Sequence, residues 1–502
     1  MQKDQLLERL DRLERQLYAY RYAMGLMEYD GETAAPLLSA AGRGEALALL
    51  SEVEYNLTAG PETAELLAAL EQIAPALTVQ QAAQLRELQK AYDRNSKVPQ
   101  EEYTAYSRLL TLAQPAWRQA KQNDDFDAFA PYLRQIVETN IRFAGYYAPG
   151  RDPYDTWLDQ YEPGMTRAQL DGFFEALRRE IVPLVQRITA EGASIDDRWA
   201  VQGDWPLEGQ KQLARRVMDR MGIDPARCAL GETEHPFTTN FSRDDVRITT
   251  HYYPENLLSS LYSVIHEGGH ALYELNTAPR LAGTCLATGA SMVMHESQSR
   301  LYENLIGRSR AFADVLWQDI TACFPAQTAG RTAEDFWKSA NKAQPSLIRT
   351  EADELTYCLH IMVRYELEKQ LFDRTLTVEE LPAAWNARME EYLGVKVPNN
   401  AQGVLQDVHW AGGSFGYFPS YALGSAYGAQ ILDAMRRQLD VDALTARGEL
   451  APITAWLTDR IYQYGAERTP AWLLENACGA PFDPTFYTRY LKEKFTALYG
   501  LG

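Results

Sequence analysis

The segment His266-Glu267-Gly268-Gly269-His270 has residue types and spacing that could bind a metal ion and hydrolyse a bond. On an α-helix, residues four apart lie on the same face, so both imidazoles can reach one point. That point suits a tetrahedral divalent metal at about 2.0–2.1 Å from each nitrogen. Glu267 is rotated by about 100° from the first histidine, which favours contact with a metal-bound water over contact with the metal. These are the parts of a hydrolytic zinc site.

The two adjacent glycines distinguish this interpretation from a pair of ordinary core histidines. The H-E-x-x-H pattern by itself is moderately specific, because the chain has only seven histidines but many glutamates. Gly268 and Gly269 lie inside the predicted helix, where each costs about 1 kcal/mol relative to alanine. A helix that keeps both glycines usually needs its backbone approached closely or its surface kept clear, which favours a catalytic metal site.

A third protein ligand is required, because a catalytic zinc generally keeps three protein ligands and one water. Glu296 lies 26 residues beyond His270. That length allows the metal helix to end near Asn276, a loop to turn, and a second helix to pack alongside. The carboxylate of Glu296 would complete a two-histidine, one-glutamate set. His295 and Glu274 are the alternatives, although Glu274 better fits an outer hydrogen-bonding role or simple solvation.

Helical periodicity dominates the chain and defines the elements that must position these residues. The predicted helices cover residues 6–20, 45–57, 62–73, 79–94, 101–121, 126–145, 167–191, 207–221, 254–275, 296–306, 332–340, 354–372 and 378–393. Two β-branched and aromatic runs, 236–240 and 246–252, predict strands just before the metal helix. The sequence therefore predicts a mainly α fold with a small β-sheet near that helix. We expect one domain over 1–502, with a helical half of about 1–200 facing a metal-bearing half of about 201–502.

The bulk composition limits the classes of partner. The chain has 49 basic and 68 acidic residues and a formal charge of −19, which disfavours nucleic acid and anionic membranes as partners. We expect no signal peptide or membrane span, because the first residues form a charged amphipathic pattern and no run approaches about 20 apolar residues. Five scattered cysteines without a C-x-x-C pair fit free thiols in a reducing compartment. A cytoplasmic location is therefore expected.

Six short motifs resemble, in type and order, those of the M32 family of carboxypeptidases, often called thermostable carboxypeptidases. The motifs are H-P-F at 235–237, D-V-R-I-T at 245–249, H-E-G-G-H at 266–270, H-E-S-Q at 295–298, I-R-T-E-A-D at 348–353 and G-V-L-Q-D-V-H-W at 403–410. The resemblance is closest over about 235–425. It is looser in the N-terminal region, and the loop 284–289 departs from the family pattern.

This resemblance implies several properties of the protein. The fold would be the mostly helical one shared with neurolysin and angiotensin-converting enzyme, with a large two-sided groove and the metal on its floor. The protein would be a cytoplasmic homodimer, and each subunit would bind one zinc ion, with cobalt as the other possible metal. The substrates would be peptides with a free C-terminus.

Amide hydrolysis also needs a proton for the departing amine and a second donor for the oxyanion. Glu267 can take the proton from the water and later deliver it to the leaving nitrogen. His409, with either Tyr417 or Tyr421, is the candidate donor to the oxyanion. In the wider fold that the resemblance implies, a histidine followed eight to twelve residues later by a tyrosine has this role. The alternative is that these residues form an aromatic core turn.

An exopeptidase must bind the free C-terminal carboxylate of its substrate, and the planar fork of arginine suits this task. Arg349 is the first candidate and Arg247 is the second. Each could instead form an internal ion pair, Arg349 with Asp353 and Arg247 with Asp245.

The sequence thus favours a metal-dependent carboxypeptidase with broad side-chain tolerance. His235 and Gln406 are further candidates for shaping its substrate pocket, without an assigned role. One alternative is an oligoendopeptidase of the same fold, which would need no carboxylate clamp. Another is a metal-stabilised peptide-binding protein without turnover. Glu267 argues against the last alternative, because a structural metal site has no use for a base beside an open position.

Overall fold

The computed structural model describes residues 2–501, which form many α-helices and one small sheet. In chain order the α-helices are α1 (Lys3–Thr33), α2 (Ala40–Ala59), α3 (Pro61–Glu71), α4 (Val79–Ser96), α5 (Gln100–Asn123), α6 (Phe126–Tyr147), α7 (Pro153–Tyr161), α8 (Arg167–Glu191), α9 (Arg198–Val201), α10 (Leu207–Met221), α11 (Leu257–Leu275), α12 (Met292–Arg300), α13 (Arg310–Cys323), α14 (Ala333–Ala340), α15 (Glu354–Phe372), α16 (Leu381–Leu393), α17 (Pro419–Arg436), α18 (Val441–Ala446), α19 (Ala451–Arg460), α20 (Pro470–Cys478) and α21 (Thr485–Tyr499). A π-helix, Leu301–Gly307, continues α12. Short 3₁₀ segments are Leu37–Ser39, Ala74–Ala76, Pro279–Leu281, Arg349–Glu351, His409–Gly412 and Tyr462–Glu467. The predicted mainly α fold is confirmed.

Two compact units divide the chain, and each is assembled from segments that are distant in sequence. The first unit contains the residues up to Ser96, Asp197–Ala340 and Ile431–Pro481. The second unit contains Lys97–Asp196, Asn341–Gln430 and the residues from Phe482 onward. Each unit therefore takes segments from both sides of a boundary near residue 200. The expectation of a single domain with two facing halves stays a prediction.

The small sheet belongs to the first unit. Its strands are β1 (Cys228–Glu232), β2 (Thr238–Ser242) and β3 (Asp245–Thr250), in the order β1-β3-β2. β3 pairs parallel with β1 and antiparallel with β2. The two predicted strand runs correspond to β2 and β3. β1 was not predicted, because its sequence Cys-Ala-Leu-Gly-Glu contains no β-branched or aromatic residue.

The metal helix α11 is the central helix of the first unit. Its first turn is capped by Asn256, whose side-chain oxygen accepts a hydrogen bond from the Ser259 backbone N–H at 3.1 Å. The helix ends before Asn276, as predicted. Most of its residues are buried, and it packs against α10, α12, β2 and β3. A helix that is apolar on nearly every side must be surrounded by other elements, which explains this position.

The helix α15 has the corresponding place in the second unit. Asp353 caps it by accepting hydrogen bonds from the backbone N–H groups of Leu355 and Thr356 at 2.9 and 3.0 Å. It packs against α8 and α16 and buries Arg364 and Glu368 completely. Buried charges need partners, so these residues indicate polar contacts inside this unit. Over residues 2–501, no helix has both the length and the apolar character needed to cross a membrane.

Candidate functional site

Three side chains of the first unit form a possible metal centre: His266 and His270 of α11, and Glu296 of α12. Their ligand atoms all lie within 4.8 Å of one another. The Nε2 atoms of His266 and His270 lie 3.6 and 3.4 Å from Oε2 of Glu296. Ligands on a tetrahedral ion with 2.0–2.1 Å bonds lie about 3.3 Å apart. The three predicted ligands therefore have almost the spacing that one ion requires.

The glycine pair of α11 allows this convergence. A Cβ on Gly269 would lie 2.7 Å from both the backbone oxygen of Gln298 and the Cα of Ser299 in α12. A Cβ on Gly268 would lie 2.7 Å from the end of the Met221 side chain. Gly269 thus lets the backbone of α12 approach the metal helix and brings Glu296 to the two histidines. The predicted need for close backbone approach is confirmed.

The Nδ1 atom of His266 contacts a carboxylate. This nitrogen lies 2.9 Å from Oε2 of Glu303, which leaves Nε2 for the ion. Glu303 lies in the π-helix, where the Arg308 backbone N–H donates to the Glu303 carbonyl oxygen at 3.0 Å. Arg300 and Arg308 donate to the Glu303 carboxylate at 3.1 and 3.3 Å. Burial opposes ionisation, but Arg300, His266 and Arg308 outweigh it and lower the pKa of Glu303 to about 2.

Glu296, the predicted third ligand, is oriented by residues of its own helix. Oε1 of Glu296 accepts a hydrogen bond from Nε of Arg300 at 2.7 Å, and Oε2 accepts one from the Ser299 hydroxyl at 3.1 Å. Burial again opposes ionisation, but the nearby Arg300 and the two histidines hold the pKa of Glu296 well below its usual value. The carboxylate is therefore charged, and its Oε2 faces the imidazole nitrogens.

The Nδ1 atom of His270 contacts another histidine rather than a carboxylate. This nitrogen lies 2.5 Å from Nδ1 of His295, and Nε2 of His295 lies 2.6 Å from Oε1 of Glu274. Burial, followed by the neighbouring His295, lowers the pKa of His270 to about 3, so its ring is neutral. The two alternatives for the third ligand, His295 and Glu274, thus form a layer behind His270. They are not part of the three-residue group.

The charges of this cluster test whether a metal fits. The carboxylates that meet here, all mostly buried, are Glu267, Glu274, Glu296 and Glu303, and the arginines are Arg300 and Arg308. Formally, two negative charges remain unbalanced. Because buried charge is costly without a partner, a divalent cation would complement this cluster. Two imidazoles and one carboxylate also suit zinc and related metals. The residues present therefore fit a divalent metal.

Glu267, the predicted base, follows His266 on α11 and is not one of the three grouped residues. Its Oε2 accepts a hydrogen bond from the Thr238 hydroxyl at 2.6 Å, and the residue is 7% exposed. Burial raises the pKa of Glu267 above its usual value. A carboxylate with a raised pKa is a stronger proton acceptor, as general-base chemistry requires.

The second unit contains a cluster of opposite charge around Asp407. Arg349 donates to Oδ1 of Asp407 from Nε and Nη2 at 3.0 and 2.8 Å, and to the Tyr357 hydroxyl at 2.9 Å. Arg364, which is fully buried, donates to Oδ2 of Asp407 from Nε at 2.7 Å. Two guanidinium groups share one carboxylate, so one positive charge is in excess. The partner of Arg349 is Asp407 and not Asp353, which caps α15.

Gln406 supports this cluster. Its side-chain oxygen accepts hydrogen bonds from the Arg349 backbone N–H at 2.9 Å and from Nη2 of Arg364 at 2.8 Å. Its side-chain nitrogen donates to the Leu347 carbonyl oxygen at 3.1 Å. These contacts make Gln406 a support for both arginines.

The predicted oxyanion donors also come together within the second unit. Nε2 of His409 lies 3.4 Å from the Tyr421 hydroxyl. The ring of Tyr417 lies 5.5 Å from that of His409 and 5.2 Å from that of Tyr421. Burial lowers the pKa of His409 to about 4 and raises that of Tyr421. Both groups are therefore neutral hydrogen-bond donors near pH 7.

The remaining predicted residues lie in the first unit. Arg247 makes two hydrogen bonds to Asp245, at 2.9 and 3.0 Å, and lies over the rings of Tyr29 and Phe241. This is the internal ion pair that the sequence offered as the alternative role. His235 is exposed, and its backbone oxygen accepts a hydrogen bond from the Thr233 hydroxyl at 2.9 Å.

Sequence reasoning missed several contributors. Glu303 follows Glu296 by seven residues, two helical turns further on, so helical spacing could have indicated it. Arg300, four residues after Glu296, carried the same signal. Thr238 and Arg364 had no usable signal, because their partners Glu267 and Asp407 are 29 and 43 residues away. Fold and candidate site together define the class of a helical metallohydrolase.

The family is established by comparison of the whole chain. The sequence profile of the carboxypeptidase Taq (M32) metallopeptidase family matches residues 9–495. The chain therefore belongs to this family of metallocarboxypeptidases, which confirms the resemblance and implies a divalent metal. Carboxypeptidase 1 of Bacillus subtilis is 40% identical over 481 residues, which cover 96% of each chain. Thermostable carboxypeptidase 1 of Thermus thermophilus is 35% identical over 498 residues, covering 96% of this chain and 97% of that one.

Comparison with solved structures supports the same family assignment. The M32 carboxypeptidase of Deinococcus radiodurans superposes with a TM-score of 0.95 at 33% identity, covering 99% of this chain and all of that one. Metallocarboxypeptidase 1 of Trypanosoma cruzi gives a TM-score of 0.93 at 34% identity, covering 98% and 99% of the two chains. Similarity over the full length extends the family assignment to both compact units.

Proposed function

We propose that this protein is a carboxypeptidase that removes single residues from the free C-terminus of peptides, with broad side-chain tolerance and with Glu267 as general base. The observation that carries the proposal is the convergence of His266, His270 and Glu296 next to that base, in a buried cluster with excess negative charge. We further propose zinc, with cobalt as the alternative, at one ion per subunit. The donor set of two imidazoles and a carboxylate supports this choice.

The residues of the first unit have distinct roles in this proposal. When bound, the ion supplies Lewis acidity and lowers the pKa of a coordinated water towards about 7. Glu267 accepts the proton of that water and delivers it to the leaving amine. Thr238 donates to Oε2 of Glu267 and so restrains the carboxylate. Arg300 holds the Glu296 ligand in its charged form.

Arg349 is our candidate for binding the terminal carboxylate of the substrate. The cluster of Arg349, Arg364 and Asp407 has one positive charge in excess, and a substrate carboxylate would balance it. Arg247 is less suited, because Asp245 balances its charge one to one, whereas Arg349 shares Asp407 with a second arginine. Gln406 would hold the two arginines of the cluster, and we assign His235 no further role.

His409 and Tyr421 are our candidates for stabilising the oxyanion, with Tyr417 packing against both rings. The Nδ1 atom of His409 is buried and makes no hydrogen bond to any of residues 2–501. The proposal for His409 therefore rests on Nε2, which lies 3.4 Å from the Tyr421 hydroxyl, so that two neutral polar groups lie together where an oxyanion could be stabilised. The contact between His409 and Tyr421 favours Tyr421 over Tyr417 as the second donor.

Assembly and location complete the proposal. The family resemblance supports a homodimer and a cytoplasmic location. The five free cysteines agree with a reducing compartment. Sedimentation of the purified protein would test the homodimer.

The deciding experiment compares matched peptides that differ only at the C-terminus. We expect rapid release of the last residue from peptides with a free carboxylate and little cleavage of the same peptides with an amidated end. The physical reason is that the amide lacks the charge that an arginine would bind. Equal cleavage of both forms would support the oligoendopeptidase alternative and remove the carboxypeptidase assignment. Zinc binding without any cleavage would support the non-catalytic alternative.

A further inference from the structure

Behind the metal ligand His270, a second imidazole and a carboxylate follow in a line. Two contacts join these three residues: His270 Nδ1 lies 2.5 Å from His295 Nδ1, and His295 Nε2 lies 2.6 Å from Glu274 Oε1. We infer that His295 and Glu274 are positioning residues that fix the direction of these hydrogen bonds and thereby keep Nε2 of His270 unprotonated for the metal. The inference rests on the proposed function only in requiring that a metal binds.

We call the hydrogen-bonded series His270, His295 and Glu274 the relay. Glu274, which is 2% exposed, sets the direction of its hydrogen bonds. The Thr288 hydroxyl and the Gly289 backbone N–H donate to its Oε1 at 2.9 and 3.2 Å. The side-chain nitrogen of Asn240 donates to its Oε2 at 2.7 Å. Both oxygens of Glu274 are therefore hydrogen-bond acceptors. It follows that Nε2 of His295 carries a proton and donates it to Glu274.

The remaining protons follow from the chemistry of imidazole. A neutral histidine has one donor nitrogen and one acceptor nitrogen. With its proton on Nε2, His295 offers Nδ1 as an acceptor. The neighbouring Nδ1 of His270 must then donate, so Nε2 of His270 keeps its lone pair. In the opposite direction, Nε2 of His270 would carry the proton and could not bind an ion. Thus Glu274 selects the metal-binding tautomer of His270 across an intervening residue.

Packing prevents His295 from adopting another position. A Cβ on Gly289 would lie 2.5 Å from Cδ2 of His295, so this loop is in direct contact with one edge of the ring. The ring of Tyr273 lies against His295 with 5.4 Å between the centroids. These two neighbours restrict the ring and keep Nδ1 of His295 directed at His270. The same loop also supplies the donors from Thr288 and Gly289, so it fixes both His295 and Glu274.

The arrangement behind His266 shows that this relay is a specific feature of His270. Nδ1 of His266 meets the Glu303 carboxylate directly, and a carboxylate can only accept. Nδ1 of His270 meets an imidazole, which could donate or accept. The second histidine therefore needs an additional residue that decides the direction, and Glu274 is that residue.

The first test measures zinc affinity of the full-length protein by competition with a chromophoric chelator, without any substrate. His295→Leu removes the acceptor for His270, and we expect about 10- to 100-fold weaker zinc binding. His295→Asn places an amide oxygen near the position of Nδ1, so affinity should stay within a few-fold of the parent. Tyr462→Phe removes a buried hydroxyl that donates to Gln298 and is the control, with unchanged affinity.

The outcomes separate positioning from general damage to the fold. Thermal melting of the metal-free variants identifies any that fail to fold, and the visible spectrum of the cobalt-loaded protein should change in His295→Leu but not in Tyr462→Phe. Parent-like zinc affinity in His295→Leu would overturn the inference. An equal loss in His295→Asn would also overturn it, because the loss would then not depend on the acceptor.

A double-mutant cycle tests the role of Glu274. Glu274→Leu should weaken zinc binding several-fold in the parent, because the direction of the relay is lost. In the His295→Asn background the same substitution should have a clearly smaller effect, because an amide oxygen accepts regardless of Glu274. Additive losses would exclude a relay. Since no peptide is involved, a protein that passes these tests but cleaves nothing would retain this inference and lose the proposed function.

Discussion

The metal cluster of the first unit and the arginine cluster of the second unit have opposite charge imbalances. Each is carried by a central helix, α11 or α15, that is buried on nearly all sides. Around α11, four carboxylates meet two arginines, which leaves an excess of negative charge. Around α15, two arginines share Asp407, which leaves an excess of positive charge. The comparison teaches that the uncompensated buried charge indicates which ligand each region would bind.

Buried glutamates also differ in pKa between the two regions. Glu303 of the first unit faces two arginines, and its pKa is lowered to about 2. Glu368 of the second unit accepts hydrogen bonds from the Tyr154 hydroxyl, the Trp410 indole N–H and the Gly416 backbone N–H, all neutral groups. Burial dominates there and raises the pKa of Glu368 to about 7. The nature of the partners, rather than burial alone, decides the charge of each carboxylate.

The largest expected effect comes from removing Glu267, the proposed base of the metal cluster. Glu267→Gln keeps the shape of the side chain but cannot accept a proton. We expect kcat to fall by about 10²- to 10⁴-fold, the usual contribution of general-base catalysis, while zinc content stays unchanged. Peptide hydrolysis and metal analysis of the same preparation measure the two quantities. An unchanged kcat would remove Glu267 from the mechanism.

A second prediction concerns the pH dependence of stability through Glu368. Its folded-state pKa of about 7 lies above the unfolded value of about 4.3. The contribution of Glu368 to the free energy of unfolding is therefore fully present below about pH 4.3. It is lost as pH rises through 7, by roughly 3–4 kcal/mol in total. Urea denaturation between pH 5 and 8 should show this loss in the parent. The slope should be much smaller in Glu368→Gln, and equal slopes would contradict the assignment.

The third prediction sharpens the role of the arginine cluster. Arg349→Gln should lower kcat/KM for peptides with a free C-terminus by about 10- to 100-fold, since a hydrogen-bonded charge contributes about 1.5–3 kcal/mol. Asp407 keeps its pair with Arg364, so the fold should persist. Arg247→Gln is the matched control and should leave KM nearly unchanged. If Arg247→Gln had the larger effect on KM, the two roles would have to be exchanged.

The smallest expected effect comes from the contact between α11 and α12. Gly269→Ala places a Cβ against the backbone of Gln298 and Ser299, which cannot move aside easily. We expect a loss of about 1–3 kcal/mol in unfolding free energy, together with weaker zinc binding as Glu296 is displaced. Gly145→Ala is a suitable control, because a Cβ there meets no atom within 4 Å. Similar behaviour of the two variants would contradict the steric explanation.

Much of the fold could be predicted because helices are encoded locally. The bounds predicted for α8, α10 and α15 agree with those observed, since apolar periodicity and end signals lie within each segment. The short strand β1 escaped prediction, because its pairing with β3 depends on residues about 18 positions away rather than on its own composition. The type of each element is encoded by its own residues, whereas the pairing of elements depends on residues that are distant in sequence.

The candidate site likewise combines features that the sequence determined with features that only tertiary contacts decided. The spacing of His266 and His270 on one helix determined that two nitrogens could share an ion, and chain length made Glu296 a reasonable third ligand. The sequence could not determine that His295 and Glu274 lie behind His270 rather than beside it. Nor could it determine that Arg349 pairs with Asp407 instead of Asp353. Those choices arise from contacts between distant segments, where packing and buried charge select one partner among several that the sequence permits.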